Sequence, residues 1–175
     1  MYYKQFLCMI FMLMVAVATA QPWFETIEER PNEKTFKGWL TRSVIEQEKS
    51  FTWFAENYKA YQPHAAGLQT LRQYKDSIRF LVFMGTWCED SHFVIPRFFA
   101  LVDTAGIKAE HISLVGVDRN KTTWGQLSSI LHVDLVPTII IYHNGKELGR
   151  VIEYGRYGQF DREIGEIVQK AFQRP

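Results

Sequence analysis

Residues 78–96 read IRFLVFMGTWCEDSHFVIP, and this stretch decides the expected fold. The apolar, β-branched and aromatic run Ile78–Met84 is typical of a strand that is buried on both faces of a sheet. From Cys88 to Thr104, apolar side chains recur at helical spacing, with Pro96 inside the run. The stretch therefore predicts a buried strand that leads into a helix through a short turn carrying a cysteine.

The rest of the second half of the chain continues this alternation of strands and helices. Strands are predicted over 111–117, 137–142 and 147–153, and helices over 123–131 and 159–172. Asn144-Gly145 lies between the last two strands and is a strong hairpin signal. The resulting order β-α-β-α-β-β-α predicts an α/β fold, a three-layer α/β/α sandwich around a central mixed sheet.

The first half of the chain has a different pattern. Residues 21–33 are polar, contain two prolines and are expected to be irregular. From Thr35 to Tyr58, aromatic and aliphatic residues recur at roughly helical spacing, which predicts a helix interrupted near Ser50. Residues 65–74 (AAGLQTLRQY) predict a second, short amphipathic helix.

The amino-terminal residues resemble a targeting segment. Residues 1–20 combine Lys4, an apolar run and a small-residue ending (Ala-Thr-Ala), which is typical of a secretory signal peptide. The apolar run is shorter than the ~20 residues of a membrane-spanning helix, so we expect export to the periplasm or the extracellular space without stable membrane insertion. The predicted organisation is a signal peptide over 1–20, a helical N-terminal extension over 21–75 and a main domain over 76–175.

Composition excludes several classes of function. The 20 Lys and Arg residues nearly balance the 19 Asp and Glu residues, so no basic surface for nucleic acid is expected. The two cysteines are Cys8, which leaves with the signal peptide, and Cys88. The five histidines show no metal-ligand spacing. We therefore expect no metal, no cofactor and one thiol in the processed chain.

Several short motifs occur in a fixed order along the second half. Trp87-Cys88-x-x-Ser91 stands at the predicted strand-to-helix junction, Pro96 follows eight residues after the cysteine, and Val136-Pro137-Thr138 starts a later strand. Over about residues 77–172 the chain thereby resembles the thioredoxin-like superfamily, as a monothiol Trp-Cys-x-x-Ser variant like those of exported bacterial members. The resemblance implies a thioredoxin-like three-layer fold with a cis bond before Pro137.

The resemblance also implies roles for individual residues. Cys88 would be the nucleophile, because the thiolate attacks disulfides and a helix N-terminus favours the thiolate. Ser91 could donate a hydrogen bond to that thiolate. Trp87 would form an apolar platform beside the cysteine, and the backbone of Val136 next to Pro137 would pair with an extended substrate segment.

The departure from the family pattern changes the expected chemistry. Ser91 occupies the position of the second cysteine, so the processed chain cannot form an internal disulfide. What remains is monothiol exchange of the reductase or isomerase type, in which Cys88 attacks a disulfide and another thiol releases it. The expected partner is a disulfide- or thiol-containing protein or a small thiol.

Charged neighbours leave a second function open. Glu89 and Asp90 oppose ionisation of the Cys88 thiol, and Val82 occupies the position of the buried acid that assists proton transfer in the family. His92, one turn along the helix, could tune the thiol or be an ordinary surface residue. The alternatives are therefore a redox-inactive peptide-binding or chaperone-like module, or a chain that pairs with its twin through the exposed thiol.

Overall fold

A six-stranded mixed sheet forms the centre of the computed structural model, which describes residues 23–31 and 33–173. The strands are β1 Phe24–Arg30, β2 Glu33–Leu40, β3 Arg79–Met84, β4 Ile112–Gly116, β5 Thr138–His143 and β6 Lys146–Ile152. Their order across the sheet is β1-β2-β4-β3-β5-β6. Strands β3 and β4 are parallel and the other neighbours are antiparallel. The predicted signal peptide lies outside the described residues.

Six α-helices accompany the sheet in the described part of the chain. They are α1 Arg42–Gln47, α2 Thr52–Lys59, α3 Ala65–Tyr74, α4 Glu89–Ala105, α5 Leu127–Ile130 and α6 Phe160–Phe172. The expected α/β class with a central mixed sheet is confirmed. None of the helices within these stretches has the length and apolar character needed to cross a membrane.

Two predictions for the N-terminal extension are wrong: residues 24–30, expected to be irregular, form strand β1, and residues 35–40, expected to be helical, belong to strand β2. The two strands pair with each other, and β2 joins the central sheet by pairing with β4, Trp39 lying opposite Val115. The spacing of Phe36, Trp39 and Leu40 fits a helix, but burial along β2 also follows the period of two that a strand requires, with Phe36 and Leu40 inside. The local pattern is therefore compatible with either a helix or a strand. Pairing with β4 favours the strand, because it gives the backbone N–H and C=O groups of β2 their hydrogen-bond partners.

The helical prediction holds beyond that point. Helix α1 ends at Gln47 and helix α2 begins at Thr52, so the expected interruption near Ser50 is confirmed. Helix α3 covers Ala65–Tyr74 as predicted. These three helices follow β2 directly and connect it to β3.

The two faces of the sheet are covered unequally. On one face, strand residues such as Phe80 and Ile141 pack with residues from α2, α3, α4 and α6 in a large apolar core. On the other face, a small cluster around Phe83, Val115 and Ile140 is covered by α5 and by Trp87. Cys88 packs beside this smaller cluster. The cysteine therefore lies at the edge of the thinly covered face.

Candidate functional site

The Cys88 side chain lies at the start of α4, where the chain leaves β3. Cys88 is the residue that caps this 17-residue helix, and its thiol is half-buried. Its backbone N–H donates to the carbonyl of Gly85 at 3.0 Å, and its carbonyl accepts from the N–H of His92 at 3.0 Å. Unpaired N–H groups and the positive end of the helix dipole surround such a position and stabilise a thiolate. We call residues 85–88 the cysteine turn.

The loop before β5 touches the thiol from the other side. The Val136–Pro137 peptide bond is cis, and the Cys88 Sγ donates a hydrogen bond to the carbonyl oxygen of Val136 at 3.2 Å. The Pro137 carbonyl accepts from the N–H of Glu153 at 2.7 Å, which ties the loop to the end of β6. Residues 48 positions apart in the sequence are thus brought together, as the resemblance to the thioredoxin-like superfamily implies.

The Trp87 side chain anchors the cysteine turn to the residue that follows β4. Its indole N–H donates to the carbonyl of Val117 at 2.9 Å, and its ring is part of the smaller apolar cluster that includes Cys88. The Arg119 guanidinium lies 4.9 Å from the ring centroid and the Lys121 ammonium 5.8 Å from it. Trp87 is therefore an apolar wall next to the thiol with cationic groups over its ring.

The Ser91 hydroxyl, predicted to donate to the Cys88 thiolate, bonds to the backbone of the cysteine turn instead. Its side chain is fully buried, and its hydroxyl oxygen accepts a hydrogen bond from the N–H of Gly85 at 3.2 Å. No hydrogen bond joins Ser91 to Cys88 within the described stretches. The observed contact helps hold the cysteine turn, and a direct role of Ser91 toward the thiolate stays a prediction.

The two acidic residues beside the thiol differ in their surroundings. Glu89 is exposed, whereas the carboxylate of half-buried Asp90 accepts a hydrogen bond from the Tyr154 hydroxyl at 2.7 Å. That hydrogen bond, with burial and the Asp90 charge, raises the pKa of Tyr154 to about 12. The phenol therefore stays protonated near neutral pH and keeps donating to Asp90. Sequence reasoning missed Tyr154, since only the path of the chain after β6 brings it to α4.

His92 contacts the cysteine turn rather than the thiol. Its Nε2 lies 2.7 Å from the carbonyl oxygen of Thr86, and its ring stacks on Trp53 of α2 with centroids 4.2 Å apart and planes at 14°. Because a carbonyl can only accept, Nε2 must carry the proton. Burial lowers the pKa of His92, so the ring is neutral at pH 7. His92 is half-buried on α4, and Trp53 covers one side of its ring.

Thr86 is a second anchor that the sequence reasoning missed. Its buried hydroxyl donates to the carbonyl of Lys34 at 2.9 Å and accepts from the N–H of Phe36 at 3.0 Å, both on β2. The N-terminal segment therefore holds the cysteine turn twice, through the β2 backbone and through Trp53 and His92. The available sequence signal was a polar residue between a buried strand and Trp87.

Val82, which occupies the position of the family's proton-transferring acid, has apolar surroundings. Val82 is fully buried within the large core, on the strand that leads to the cysteine turn. Among residues 23–31 and 33–173, no three His, Cys, Asp or Glu side chains are grouped so that they could hold a metal ion. The chemistry available at this site centres on the Cys88 sulfur and the groups that contact its turn.

Comparison with known proteins identifies relatives in fold only. No protein-family model matches the chain, and no curated protein matches it. A crystal structure of a protein of unknown function from Pseudomonas aeruginosa matches with a TM-score of 0.54 and 15% identity, over 74% of this chain and 90% of that one. An HIV epitope scaffold matches with a TM-score of 0.52 and 16% identity, over 78% and 94%. At these identities the likeness shows that this chain shares an α/β fold with both proteins.

Proposed function

We propose that this chain is an exported thioredoxin-like protein that makes monothiol–disulfide exchange through Cys88. The observation that carries the proposal is the half-exposed thiol at the start of α4, 3.2 Å from the carbonyl of Val136 next to the cis Val136–Pro137 bond. Pro96 inside α4 supports the thioredoxin-like assignment. Export rests on the signal-like residues 1–20.

The proposed reaction is a sulfur-for-sulfur displacement. The Cys88 thiolate attacks one sulfur of a substrate disulfide, a new S–S bond forms to Cys88, and the other sulfur leaves as a thiolate that takes a proton from water. A second cysteine of the substrate, or an external thiol, then attacks the mixed disulfide and regenerates Cys88. The first route rearranges disulfides without net reduction, and the second reduces the substrate at the expense of the external thiol.

The edge beside Cys88 supports binding of an extended segment. Val136 and Pro137 are buried, whereas the preceding Leu135 exposes 46% of its surface next to them. Main-chain pairing to Val136 would place a substrate disulfide against the thiol with little demand on side-chain sequence. Leu135 would supply an apolar contact at the rim.

Two local features act on the thiolate in opposite directions. The amino end of α4 stabilises negative charge on Cys88, whereas the Glu89 carboxylate opposes it. The hydrogen bond from Tyr154 to Asp90 gives that carboxylate a donor and disperses its charge.

The test is formation of a defined adduct. Purified protein is incubated with glutathione disulfide, quenched with an alkylating agent, and examined by peptide mass spectrometry, with Cys88→Ser as the matched control. We expect one glutathione on Cys88 and none on the variant. Absence of the Cys88 adduct under conditions that modify a free cysteine peptide would remove the proposal.

A second candidate is a redox-inactive peptide-binding module that uses the same surface. Exposed Leu135 and Phe93, the latter with 40% of its surface accessible, favour apolar contacts that need no thiol. In that case Cys88→Ser would bind unfolded or extended peptides as well as the native protein does. Peptide binding by a native protein that shows no exchange, with the same affinity in Cys88→Ser, would favour this second candidate over the first.

A further inference from the structure

One face of α4 carries a line of side chains that begins beside Cys88. Asp90, Phe93 and Arg97 are spaced three and four residues apart, so they lie on a common face of the helix. Tyr154 covers the first part of this line, because its hydroxyl donates to Asp90 and its ring centroid lies 5.3 Å from that of Phe93. We call Asp90, Phe93, Arg97 and Tyr154 the α4 stripe.

Arg97, at the far end of the stripe, has no anionic partner among the described residues. Its Nη1 is buried and has no hydrogen-bond partner among the described residues, and no carboxylate there lies within 4.0 Å of its guanidinium. By contrast, five other arginines of the described chain contact carboxylates: Arg42, Arg119, Arg150, Arg156 and Arg162. Desolvation by burial lowers the pKa of Arg97, as expected for a charge that no neighbouring anion compensates.

The geometry around Arg97 favours a planar anion. The guanidinium carbon lies 3.1 Å from the centroid of the Phe93 ring, so the group stacks on an aromatic face. A stacked guanidinium still presents N–H donors along its edge, where a carboxylate binds in the two-bond arrangement that arginine prefers. Tyr61 and Tyr154 are the titratable groups that lie near Arg97, and both have raised pKa values, so near neutral pH neither supplies a negative charge to it.

The length of the stripe sets the spacing of a ligand. Cys88 and Arg97 are nine positions apart, which corresponds to about 13 Å along the helix axis. An extended peptide covers that distance in about four residues. On the α4 stripe itself, the end near Cys88 carries Asp90 beside Glu89, so a ligand bound along this stripe is favoured to place an anionic group at the Arg97 end.

We propose that the α4 stripe selects disulfide substrates whose cysteine is followed or preceded, three or four residues away, by an acidic side chain that binds Arg97. The inference rests on the proposed exchange at Cys88 and names its substrate class, an acidic peptide segment. The covalent step is unchanged: Cys88 sulfur forms a bond to the substrate sulfur, and the former partner of that sulfur leaves as a thiolate.

The test compares four synthetic peptides that each carry one cysteine activated as a 2-thiopyridyl disulfide. They have Glu or Gln four residues before or after the cysteine, and release of pyridine-2-thione reports the rate of attack by Cys88. We expect the native protein to react about two- to fivefold faster with a Glu peptide than with its Gln twin on one side of the cysteine, the size expected of a partly exposed ion pair.

Charge variants of Arg97 give the decisive result. Arg97→Gln should remove the preference, Arg97→Glu should favour a peptide with Lys in place of Glu, and Arg162→Gln, which changes net charge equally on α6, should keep the preference. Equal rates for Glu and Gln peptides on both sides, or a preference that survives in Arg97→Gln, would overturn the inference while exchange at Cys88 stands. If no peptide reacts with Cys88, the exchange proposal fails, and the inference fails with it.

Discussion

At the residue scale, a few buried polar atoms set the shape of the cysteine turn. The Thr86 hydroxyl bonds to the β2 backbone, the Thr86 carbonyl bonds to His92, and the Ser91 hydroxyl bonds to the N–H of Gly85. Each of these atoms is removed from water, so losing one partner leaves another group unpaired, which costs more than the hydrogen bond itself contributes. The position of the Cys88 thiol therefore depends on residues that never touch a substrate.

The Thr86 hydroxyl offers a direct test of this dependence. Thr86→Val keeps the shape of the side chain but leaves the N–H of Phe36 and the carbonyl of Lys34 unpaired. We expect the free energy of unfolding to fall by about 1–3 kcal/mol, measured by urea denaturation. Thr86→Ser retains the hydroxyl and should lose less than half as much. Equal stability of the Val variant and the native protein would show that the hydroxyl does not hold the turn.

We expect the free energy of unfolding to depend on pH through His92. Burial lowers the pKa of His92 in the folded protein, against weaker opposing effects of the Thr86 carbonyl, Glu89 and Glu33. Below the ordinary histidine pKa of about 6.5, the unfolded chain binds a proton that the folded chain does not, so stability falls as pH falls from 7 toward 5.

The matched variant for this prediction is His92→Gln, whose amide can still donate to the Thr86 carbonyl and does not titrate. The unfolding free energy of the variant, measured by urea denaturation at pH 7 and pH 5, should decline less over this range than that of the native protein. An identical decline in both proteins would assign the acid sensitivity to other groups.

At the element scale, helices α3 and α6 approach each other through glycine. A Cβ built on Gly67 would lie 2.5 Å from the carbonyl oxygen of Asp161, and one on Gly165 would lie 2.6 Å from the Cα of Gly67. The carboxylate of Asp161, in the first turn of α6, also accepts hydrogen bonds from the Tyr61 hydroxyl and from the N–H of His64 at 2.6 Å. The crossing and this carboxylate together attach α3 and the loop before it to α6.

Gly67→Ala tests the crossing. In an open helix this change would stabilise by about 1 kcal/mol, but here the methyl group meets backbone that cannot rotate away. We expect a net loss of about 1–3 kcal/mol in the free energy of unfolding, measured by denaturant titration. Gln69→Ala, at an exposed position of the same helix, should change stability little. A more stable Gly67→Ala protein would mean that the helices separate without cost.

Local sequence patterns predict the helices and strands in the second half of the chain. They do not predict which strands β2 pairs with. Buried strands such as β3 and the amphipathic α6 are readable because their burial repeats over a few residues. Strand β2 was misassigned since Phe36, Trp39 and Leu40 satisfy both a helical and a strand period over so short a run. Its pairing with β4 lies some 75 residues away in the sequence and leaves no local signal.

At the scale of the whole molecule, the sheet and α4 bring the cysteine turn against the Val136–Pro137 loop. The sequence pointed to that meeting only through the resemblance that the short motifs carry. The surrounding contacts could not be predicted: Thr86 meets β2 across 50 residues and Tyr154 meets Asp90 across 64. Such contacts depend on tertiary packing, which a single sequence does not encode in any local pattern.

The N-terminal segment is consequently part of the site in this fold. Strand β2 and helix α2 contact the cysteine turn from two directions, through Thr86 and through the stacked pair Trp53 and His92. Truncation before β3 would remove both anchors. Any assay of Cys88 chemistry therefore has to use the chain with this segment in place.

The measurement that tests the central claim most directly is catalysed rearrangement of a protein with scrambled disulfides, in buffer containing reduced glutathione. We predict that the native protein restores activity to the scrambled substrate faster than buffer alone, in proportion to its concentration, and that Cys88→Ala does not. A native protein no faster than buffer, or a Cys88→Ala variant as active as the native protein, would contradict exchange through Cys88.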